Sequence, residues 1–351
     1  MKRTIPQKTV YVAMSGGVDS SVAALLLKKQ GFHVVGVFMK PWSASVKTSA
    51  GQAPRCLWQA DRQDALRVAA KLDITLLTWD FSHEYGTRVA QKMIAGYRQG
   101  VTPNPDVDCN KEIKFGLFYR KAMRAGADFI ATGHYAQIQR GNLIKARDTN
   151  KDQTYFLWAI KPECLKNTLF PIGALRKPDV RKRAAQAGLV TADKKDSQGV
   201  CFVGEMNVKD FLTSKIKPRK GKIIHVDGRL LGTHDGAAYY TIGQRHGLDI
   251  KDGGGPYFVV RKDIRKNTIT VGAKRDLYGA TARLTKMQWF GPRPAPHQTI
   301  SLKIRYRTPG HAATIDAKGH VRFTRPVRAI TPGQSAVVYR GSRVLGGGIL
   351  A

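Results

Sequence analysis

The sequence predicts an α/β protein whose N-terminal part is a doubly wound parallel sheet, followed by a small central β-rich domain and a C-terminal β-barrel. Three observations predict this order. Short apolar segments alternate with helical patterns over the first 200 residues, Asp-Gly turns separate strand-sized segments beyond residue 205, and Pro/Gly turns separate short strands near the C-terminus. The expected domains are residues 1–205, 206–278 and 279–351.

Apolar runs and helical periodicity place the N-terminal elements. Apolar runs of strand length predict buried strands at Val10–Met14, Val34–Met39, Ile74–Trp79 and Asp128–Thr132. Helical spacing predicts helices over Asp19–Gln30, Gln59–Leu72, Lys111–Ala125 and Asp179–Gly188. Strands that alternate with helices of this length favour a parallel sheet covered on both faces.

The second half of the chain shows a pattern typical of antiparallel sheets. Asp227–Gly228 and Asp235–Gly236 suit hairpin turns between strand-sized pieces. Beyond Thr281, Pro/Gly turns separate candidate strands, which predicts a small barrel or sandwich. The candidate strands are Ser301–Tyr306, Val321–Phe323 and Ala336–Tyr339. This last stretch contains twelve Lys and Arg but one acid, Asp316, so the basic charge is concentrated there.

Composition and charge narrow the class of function. The 351 residues carry 59 Lys and Arg against 25 Asp and Glu, a formal net charge of +34 that would attract nucleic acid. A generally basic proteome would also produce this charge. The 42% hydrophobic content argues against disorder, and no apolar run reaches the roughly 18 residues of a membrane helix. Four cysteines without C-x-x-C spacing argue against a disulfide scaffold or zinc site and indicate a reducing cytoplasm.

The segment Ser15–Ser21, with the sequence SGGVDSS, lies between a predicted strand and a predicted helix. Glycines allow a tight turn close to a ligand, and free N–H groups at a helix start bind phosphate. The chain has no G-x-x-x-x-G-K-[ST] motif, so this is not a Walker loop. The pattern predicts phosphate binding. The alternative is a glycine-bearing helix start in which Asp19 is an ordinary first-turn acid.

Cys109 follows the turn Pro103–Asp106 and precedes the predicted helix. A thiol near a helix start with Lys111 and Lys114 close by is expected to have a lowered pKa, although the neighbouring Asp108 works against this. Cys109 also suits a small buried residue. The Asn-Pro-Asp turn likewise suits a plain turn with a helix cap.

Cys201 is the second candidate thiol. It follows a polar Ser-Gln-Gly turn within Asp196–Gly204 but is flanked by apolar residues, so a core position is also open. Cys56 and Cys164 have no comparable setting and are expected to be structural.

Long motifs, in order along almost the whole chain, make the sequence resemble the tRNA-specific 2-thiouridylase (MnmA/TrmU) family of the N-type ATP pyrophosphatase superfamily. The matching strings are AMSGGVDSSVAA, GVFMK, TPNPD-x-x-CNKEIKF, ATGHYA, KDQTYFLW, DSQGVCF, YTIGQRHGL, KIRYR and TPGQSAVVY. The resemblance implies that the N-terminal domain has the PP-loop ATP pyrophosphatase fold, which is adenine nucleotide alpha hydrolase-like.

The resemblance also implies an ATP-dependent tRNA-uridine 2-sulfurtransferase. Such an enzyme uses ATP and Mg²⁺ to adenylate O2 of the wobble uridine of tRNA, then replaces that oxygen with persulfide sulfur, releasing AMP and pyrophosphate. By resemblance, Cys201 carries the persulfide, Cys109 is the nucleophile that closes a disulfide with it, and Asp106 acts as general acid or base. The residues implied for ATP binding are Ala13, Met14, Ser15, Gly16, Gly17, Val18, Asp19, Ser20, Met39 and Gly133.

The family's tRNA contacts map onto five short stretches of the chain. The implied residues are Asn104, Pro105, Asp106, His134, Lys151, Asp152, Gln153, Arg305, Tyr306 and Gln334. By pattern alone, His134 also suits a structural role and Arg305–Arg307 an alternating strand with a solvated face. The expected partners are tRNA and a persulfide sulfur-donor protein, with no membrane and no metal site built from protein ligands. A cytoplasmic monomer is expected.

Two other hypotheses are open at this point. One is another PP-loop tRNA-modifying enzyme, of the 4-thiouridine or lysidine synthetase type. The other is a tRNA-binding protein without catalytic activity, which would bind tRNA with a steep salt dependence but would not convert ATP to AMP.

Overall fold

The computed structural model describes residues 7–42, 57–196 and 208–351. The α-helices are α1 (Val18–Lys29), α2 (Leu57–Leu72), α3 (Ser82–Tyr85), α4 (Gln91–Arg98), α5 (Pro105–Asp108), α6 (Tyr119–Arg124), α7 (Lys177–Gln186) and α8 (Val208–Thr213). Two segments, Gly86–Ala90 and Cys109–Phe118, are π-helical. Within the described residues, no helix is both long enough and apolar enough to cross a bilayer.

The strands divide between two compact units of the chain. They are β1 (Thr9–Ala13), β2 (His33–Lys40), β3 (Thr75–Asp80), β4 (Phe129–Thr132), β5 (Ala136–Gln139), β6 (Asn142–Lys145), β7 (Thr168–Leu169), β8 (Gly221–His225), β9 (Leu230–His234), β10 (Phe258–Asp263), β11 (Thr268–Gly272), β12 (Tyr278–Trp289), β13 (Ile300–Lys303), β14 (His311–Ile315), β15 (His320–Arg328), β16 (Ser335–Arg340) and β17 (Arg343–Leu350). The first unit draws on Met1–Val89, Asp106–Glu205 and Ser342–Val344, and the second on Ala90–Pro105, Met206–Gly341 and Leu345–Ala351.

The first unit is built on a parallel sheet with the strand order β3-β2-β1-β4-β7. Strand β1 pairs in parallel with β2 on one side and with β4 on the other. The strand order therefore reverses at β1, which confirms the doubly wound prediction and marks the carboxyl end of β1 as a ligand crevice. The N-terminal strands and helices predicted from periodicity are confirmed within two residues, except the helix around Cys109.

The sequence forms this layer because β1 is apolar on both sides of its pleat. Val10 to Ala13 are all buried, as expected of a central parallel strand. Helix α1 buries Val22, Leu25 and Leu27 in the same core and ends before Gly31, whose φ of +84° suits glycine. The core therefore holds β1 and α1 rigidly on either side of the loop that joins them.

The helical segment that carries Cys109 begins at Pro105, six residues earlier than predicted. It runs as α5, continues as the π-helix Cys109–Phe118 and ends as α6. Proline favours the first helical position because its missing N–H is not needed there. Cys109 therefore lies past the first helical turn, and Lys114 follows it five residues later in the same π-helix.

The second unit contains a four-stranded sheet with the order β10-β11-β8-β9. Strands β8 and β9 pair antiparallel, so the predicted hairpin at Asp227–Gly228 is confirmed, with Gly228 at a φ of +95°. The hairpin predicted at Asp235–Gly236 is wrong. There the chain turns into a short 3₁₀ helix, Ala237–Tyr239, and Gly236 at φ +150° makes that turn.

The C-terminal strands close into a barrel with the order β12-β15-β14-β13-β16-β17, because β17 also pairs with β12. Of the two predicted architectures, a barrel and a sandwich, the structure therefore shows the barrel. Its core includes Leu302, Phe323 and Val338. The predicted strand Ser301–Tyr306 ends early, at Lys303, and the chain then turns through Arg305–Arg307, where Arg307 has a φ of +58°.

Candidate active site

The loop Met14–Gly17 carries the chain from the carboxyl end of β1 into α1. The Ser20 hydroxyl accepts a hydrogen bond from the Ser15 N–H (3.2 Å) and donates one to the Gly17 carbonyl (3.0 Å). The Ser21 hydroxyl also donates to Gly17 (2.9 Å). Because the capping residue Gly17 has no side chain, it leaves the first N–H groups of α1 to an incoming anion.

Two glycines allow close approach of the backbone around this loop. Gly16 has a φ of +74°, and a β-carbon there would overlap the Asp61 carbonyl. Gly133 follows β4, and a β-carbon on it would lie 2.6 Å from the Ser20 nitrogen. Met39 lies near the end of β2, next to β1 in the sheet. The residues that the resemblance implies for ATP binding thus lie at the carboxyl ends of three adjacent strands.

Lys177 lies at the first position of α7 and reaches the phosphate loop. Its ammonium group is 2.8 Å from both carboxylate oxygens of Asp19 and 2.8 Å from Asp196. The Tyr135 hydroxyl also donates to Asp19 (2.9 Å). The Lys177 side chain is 10% exposed, so solvent screens these interactions weakly.

A second lysine supports the other side of the loop. Lys194 donates to the Gly16 carbonyl (3.0 Å) and to the carboxylates of Asp61 (2.7 Å) and Asp64 (2.6 Å). Burial alone would lower the pKa of Lys194, but the two carboxylates outweigh it and raise that pKa. Lys194 therefore stays charged next to the loop.

The Asp196 carboxylate forms ion pairs with three basic side chains. Lys151 (2.7 Å), Lys177 (2.8 Å) and Arg181 (2.9 Å) all contact its carboxylate. Burial would raise the pKa of Asp196, but the hydrogen bonds from Lys151 and Lys177 lower it to about 2. Asp196 is therefore ionised and ties α7 to the turn that contains Lys151.

Cys109 is a free thiol, 4% exposed, in the same unit. Burial raises its pKa, and the nearby Lys114 opposes the increase without cancelling it. The expectation of a lowered pKa is therefore wrong for this conformation. The reasons are that Cys109 lies beyond the helix start and that desolvation disfavours a buried thiolate.

Asp106 lies one helical turn before Cys109 and responds to the same lysine. Burial raises the pKa of its carboxyl group, and Lys114 again works in the opposite direction. A carboxyl group with a raised pKa holds its proton more tightly than an ordinary carboxyl group and can donate it to a substrate. The arrangement places a potential acid and a thiol near one cation.

His134 is buried between aromatic rings. Its Nδ1 lies 2.7 Å from the Thr132 hydroxyl, and its ring packs against Phe115 (5.9 Å) and Phe170 (6.2 Å). Burial, aided by Lys114, lowers its pKa well below the usual value, so the ring is neutral. A neutral imidazole can hold a partner by a hydrogen bond, but it has no positive charge with which to attract a phosphate group.

Comparison with known proteins agrees with this geometry. Family models described as "tRNA methyl transferase HUP domain", "tRNA methyl transferase PRC-barrel domain" and "Aminomethyltransferase beta-barrel domain" match residues 8–205, 209–273 and 280–350. A protein named tRNA-specific 2-thiouridylase MnmA from Streptococcus thermophilus is 46% identical over 97% of this chain and 94% of its own length. A protein of the same name from Chlamydia abortus is also 46% identical, over 98% of this chain and 97% of its own length. The chain belongs to the tRNA-specific 2-thiouridylase family.

Solved structures with partial similarity include an NMN synthetase from Francisella tularensis and a 4-thiouridine synthetase–RNA complex with bound ATP. The first is 18% identical with a TM-score of 0.34 and covers 55% of this chain and 67% of that one. The second is 16% identical with a TM-score of 0.35 and covers 57% and 46%.

Of the two cysteines that the 2-thiouridylase family implies for catalysis, only Cys109 is among the described residues. Cys201 and Cys56 lie outside the described residues, so the disulfide between Cys109 and Cys201 stays a prediction. Cys164 is buried, its thiol donates to the Phe115 carbonyl (3.4 Å), and burial raises its pKa to about 11, as expected of a structural cysteine.

Three of the residues implied for tRNA contact form one turn in the first unit. Asp152 is buried and accepts hydrogen bonds from the Ala146 N–H (3.1 Å) and the Thr154 hydroxyl (2.9 Å). Gln153 accepts one from the Tyr135 N–H (2.8 Å), and Lys151 is paired with Asp196. These bonds fix the turn, and its tRNA contacts stay predictions.

The remaining implied tRNA residues belong to the second unit, apart from Asp106 and His134. Arg305 donates to the carbonyls of Ile242 (2.9 Å) and Ala329 (3.2 Å) and to the Thr331 hydroxyl (3.0 Å). Gln334 donates to the Thr102 carbonyl (2.8 Å). Both residues therefore hold backbone in place, in addition to any contact with RNA.

Sequence patterns do not reveal Lys177 and Lys194 as parts of this site. Their partners Asp19 and Gly16 are 158 and 178 positions away, and no local periodicity encodes such a pairing. A lysine at the start of a helix, where the dipole disfavours a cation, is the one local signal at Lys177.

Proposed function

We propose that this protein is a tRNA 2-thiouridylase that adenylates O2 of the wobble uridine and replaces that oxygen with sulfur. The observation that carries the proposal is the near-full-length identity of 46% to enzymes of that name. The geometry supports it, because one compact unit contains a phosphate loop, a carboxyl group with a raised pKa and a buried thiol.

In the first step the chain binds ATP at the carboxyl edge of the parallel sheet. The N–H groups at the start of α1 and the Ser20 hydroxyl hold the departing pyrophosphate, and Gly133 lets the end of β4 approach the start of α1 closely. The phosphate oxygens of the bound nucleotide suit Mg²⁺, which prefers oxygen ligands and keeps several waters. When bound, Mg²⁺ neutralises charge on the phosphates.

In the second step a persulfide on Cys201 attacks C2 of the adenylated uridine, and AMP leaves with the original oxygen. The Cys109 sulfur then attacks the Cys201 sulfur. This forms the Cys109–Cys201 disulfide, breaks the bond to the transferred sulfur and leaves it on C2 as the thiocarbonyl. In a variant of this route, Cys109 first releases the sulfur as sulfide, which attacks C2 itself. An external thiol reductant reopens the disulfide.

Asp106 supplies and removes protons around the pyrimidine. Its raised pKa suits a group that donates a proton in one step and accepts it in another. Asn104 and Pro105, which precede it directly, contact the flipped base, as the resemblance implies. The net charge of +34 supports the capture of tRNA through its phosphates.

The reaction implies two macromolecular partners. One is tRNA, bound through the residues that the family implies, and the other is a protein that delivers persulfide sulfur. Free thiols at Cys109 and Cys164 suit a reducing cytoplasm. We propose that the protein works there as a monomer.

Release of AMP tests the first step. Purified protein with unmodified tRNA, ATP and Mg²⁺ is expected to form AMP, and Ser20→Ala is expected to lower the rate because the loop loses its hydroxyl bonds. Lys28→Ala, which removes an exposed residue at the far end of α1, is the control and is expected to keep the rate. Binding of tRNA without AMP formation would favour a non-catalytic tRNA-binding protein.

A further inference from the structure

Thr102 is held through all its polar groups within the second unit. It lies two residues before Asn104 and is 6% exposed. Its N–H donates to the Pro332 carbonyl (2.8 Å), and its own carbonyl accepts a hydrogen bond from the Gln334 side chain (2.8 Å). Its hydroxyl lies 3.3 Å from that of Thr241.

The barrel turn that makes these contacts packs closely against Thr102. Gly333 has a φ of +90°, and a β-carbon there would lie 2.8–2.9 Å from the Thr102 backbone atoms. Only glycine therefore fits between Pro332 and Gln334 without moving the Thr102 backbone.

The same turn is anchored to the barrel. The Gln334 N–H donates to Thr331 (3.2 Å), the Gly333 N–H donates to Leu350 (2.8 Å), and the Leu350 N–H donates back to Gln334 (2.9 Å). Arg305 donates to the Thr331 hydroxyl (3.0 Å). Thr102 therefore rests on an element that is itself fixed.

The backbone between Thr102 and Asp106 has little conformational freedom. Residues 103 and 105 are prolines, whose rings fix φ and remove most of the local freedom. A shift of the Thr102 backbone is therefore passed on to Asn104 rather than absorbed by neighbouring torsions.

We propose that Gln334 is a positioning residue, which acts on the target base through Thr102 and Asn104. The resemblance gives Gln334 a contact to tRNA, and in the structure its amide nitrogen also donates to the Thr102 carbonyl. The inference rests on the proposed function, because Asn104 is assigned to the target base there. Loss of the donor leaves a buried carbonyl without its partner, and the loop relaxes away from its working position.

The test is Gln334→Met, which keeps the side-chain length but removes the donor. At saturating tRNA, kcat for thiolation is expected to fall about tenfold or more, because a misplacement near 1 Å is costly in rate. The loss is expected in kcat itself, whatever change in the tRNA Kd accompanies it, because the amide donor that is removed serves the Thr102 carbonyl. Gln298→Met is the matched control: it removes another barrel glutamine, which accepts from Ala295 (3.3 Å), and is expected to change neither constant.

Hydrogen exchange of the backbone amides of Thr102, Asn104 and Asp106 gives a readout that needs no activity. Gln334→Met is expected to speed this exchange, while Gln298→Met leaves it unchanged. If Gln334→Met lowers the yield of folded protein, Gly333→Ala can replace it, because the added methyl group displaces the Thr102 backbone from the neighbouring position. This variant is expected to show the same loss of kcat with tRNA affinity kept.

A rise in the tRNA Kd for Gln334→Met with kcat at saturating tRNA unchanged would overturn the proposal in favour of a direct RNA contact alone. Unchanged exchange at Thr102, Asn104 and Asp106 would overturn it as well. If wild-type protein does not thiolate tRNA while the variant still speeds exchange, the proposed function fails and the positioning of the loop by Gln334 stands.

Discussion

Lys177 lies 2.8 Å from both carboxylate oxygens of Asp19, although 158 positions separate the two residues in the chain. The same ammonium group contacts Asp196 at 2.8 Å. One lysine thus fixes the first turn of the phosphate-loop helix and the residue that begins the DSQGVCF motif. The structure therefore connects the two sequence motifs that the proposed reaction needs.

Replacement of Lys177 tests this connection. Lys177→Met leaves Asp19 and Asp196 with one cation fewer, so the free energy of unfolding is expected to fall by about 1–3 kcal/mol. The KM for ATP is expected to rise, because the loop is no longer held. Lys28→Met is the control, since the exposed Lys28–Asp73 pair should contribute less than about 1 kcal/mol. Urea denaturation and AMP-release kinetics measure both effects, and equal losses for the two variants would contradict the account.

Gly133→Ala tests the close approach of β4 to α1. The added methyl group would lie 2.6 Å from the Ser20 nitrogen, so the start of α1 must move and ATP-dependent AMP release is expected to fall at least tenfold. Gly279→Ala adds a methyl group 3.1 Å from the end of the flexible Ile330 side chain and is expected to keep activity. Normal AMP release by Gly133→Ala would show that the loop does not hold the nucleotide.

Lys114 and Lys111 form a matched pair for testing thiol reactivity. Lys114 favours the Cys109 thiolate, so Lys114→Met is expected to raise the Cys109 pKa further and slow alkylation at pH 8 about three- to tenfold. Lys111 is 3.6 Å from Glu112 and exposed, and Lys111→Met is expected to have little effect. Iodoacetamide labelling with mass spectrometry of the Cys109 peptide measures the rate. Faster labelling in Lys114→Met would contradict the assigned electrostatics.

The raised pKa of Asp106 predicts the direction in which the free energy of unfolding changes with pH. Its pKa is raised in the folded state, so the fold binds this proton more tightly than the unfolded chain does, and stability is lost as pH rises above the ordinary carboxyl pKa. Asn resembles the neutral form, so Asp106→Asn is expected to be more stable than wild type at pH 7.5 and about equal near pH 4, while thiolation is lost. Denaturation at both pH values measures the difference.

Asp80 provides the control of opposite sign. Hydrogen bonds from Lys40 and Ser82 lower its pKa to about 2, so its contribution is present above the ordinary carboxyl pKa and is lost as pH falls through about 2. Asp80→Asn is therefore expected to reduce stability at pH 7.5. If Asp106→Asn behaved like Asp80→Asn, the raised pKa of Asp106 would be wrong.

The resemblance identified the parts of the site that are contiguous in sequence, and the periodicity identified the sheet that presents them. Val10–Met14 and Asp19–Gln30 were predictable because a buried strand and a helix leave local patterns. Lys177 was not, because ion pairs between distant elements leave none. The lowered pKa expected for Cys109 was wrong because the helix begins at Pro105, which moves the thiol from the helix start into a desolvated position.

Arg305 and Arg307 differ in how far the fold itself uses their guanidinium groups. Arg305 donates to two carbonyls and a hydroxyl, so Arg305→Ala is expected to cost about 1–3 kcal/mol of unfolding free energy. Arg307 is exposed and stacks on Tyr306 at 5.3 Å, so Arg307→Ala is expected to keep stability within about 0.5 kcal/mol but to reduce the salt slope of tRNA binding by about 1. Denaturation and filter binding at several salt concentrations measure the two effects, and a stability loss in Arg307→Ala equal to that of Arg305→Ala would contradict this division.

The most direct measurement is nucleoside analysis of unmodified tRNA after incubation with the protein, ATP, Mg²⁺ and a persulfide donor. The account expects 2-thiouridine at the wobble position with one AMP per sulfur transferred, and loss of thiolation in both Cys109→Ser and Cys201→Ser. Formation of 4-thiouridine or lysidine, or full thiolation by either cysteine variant, would contradict it.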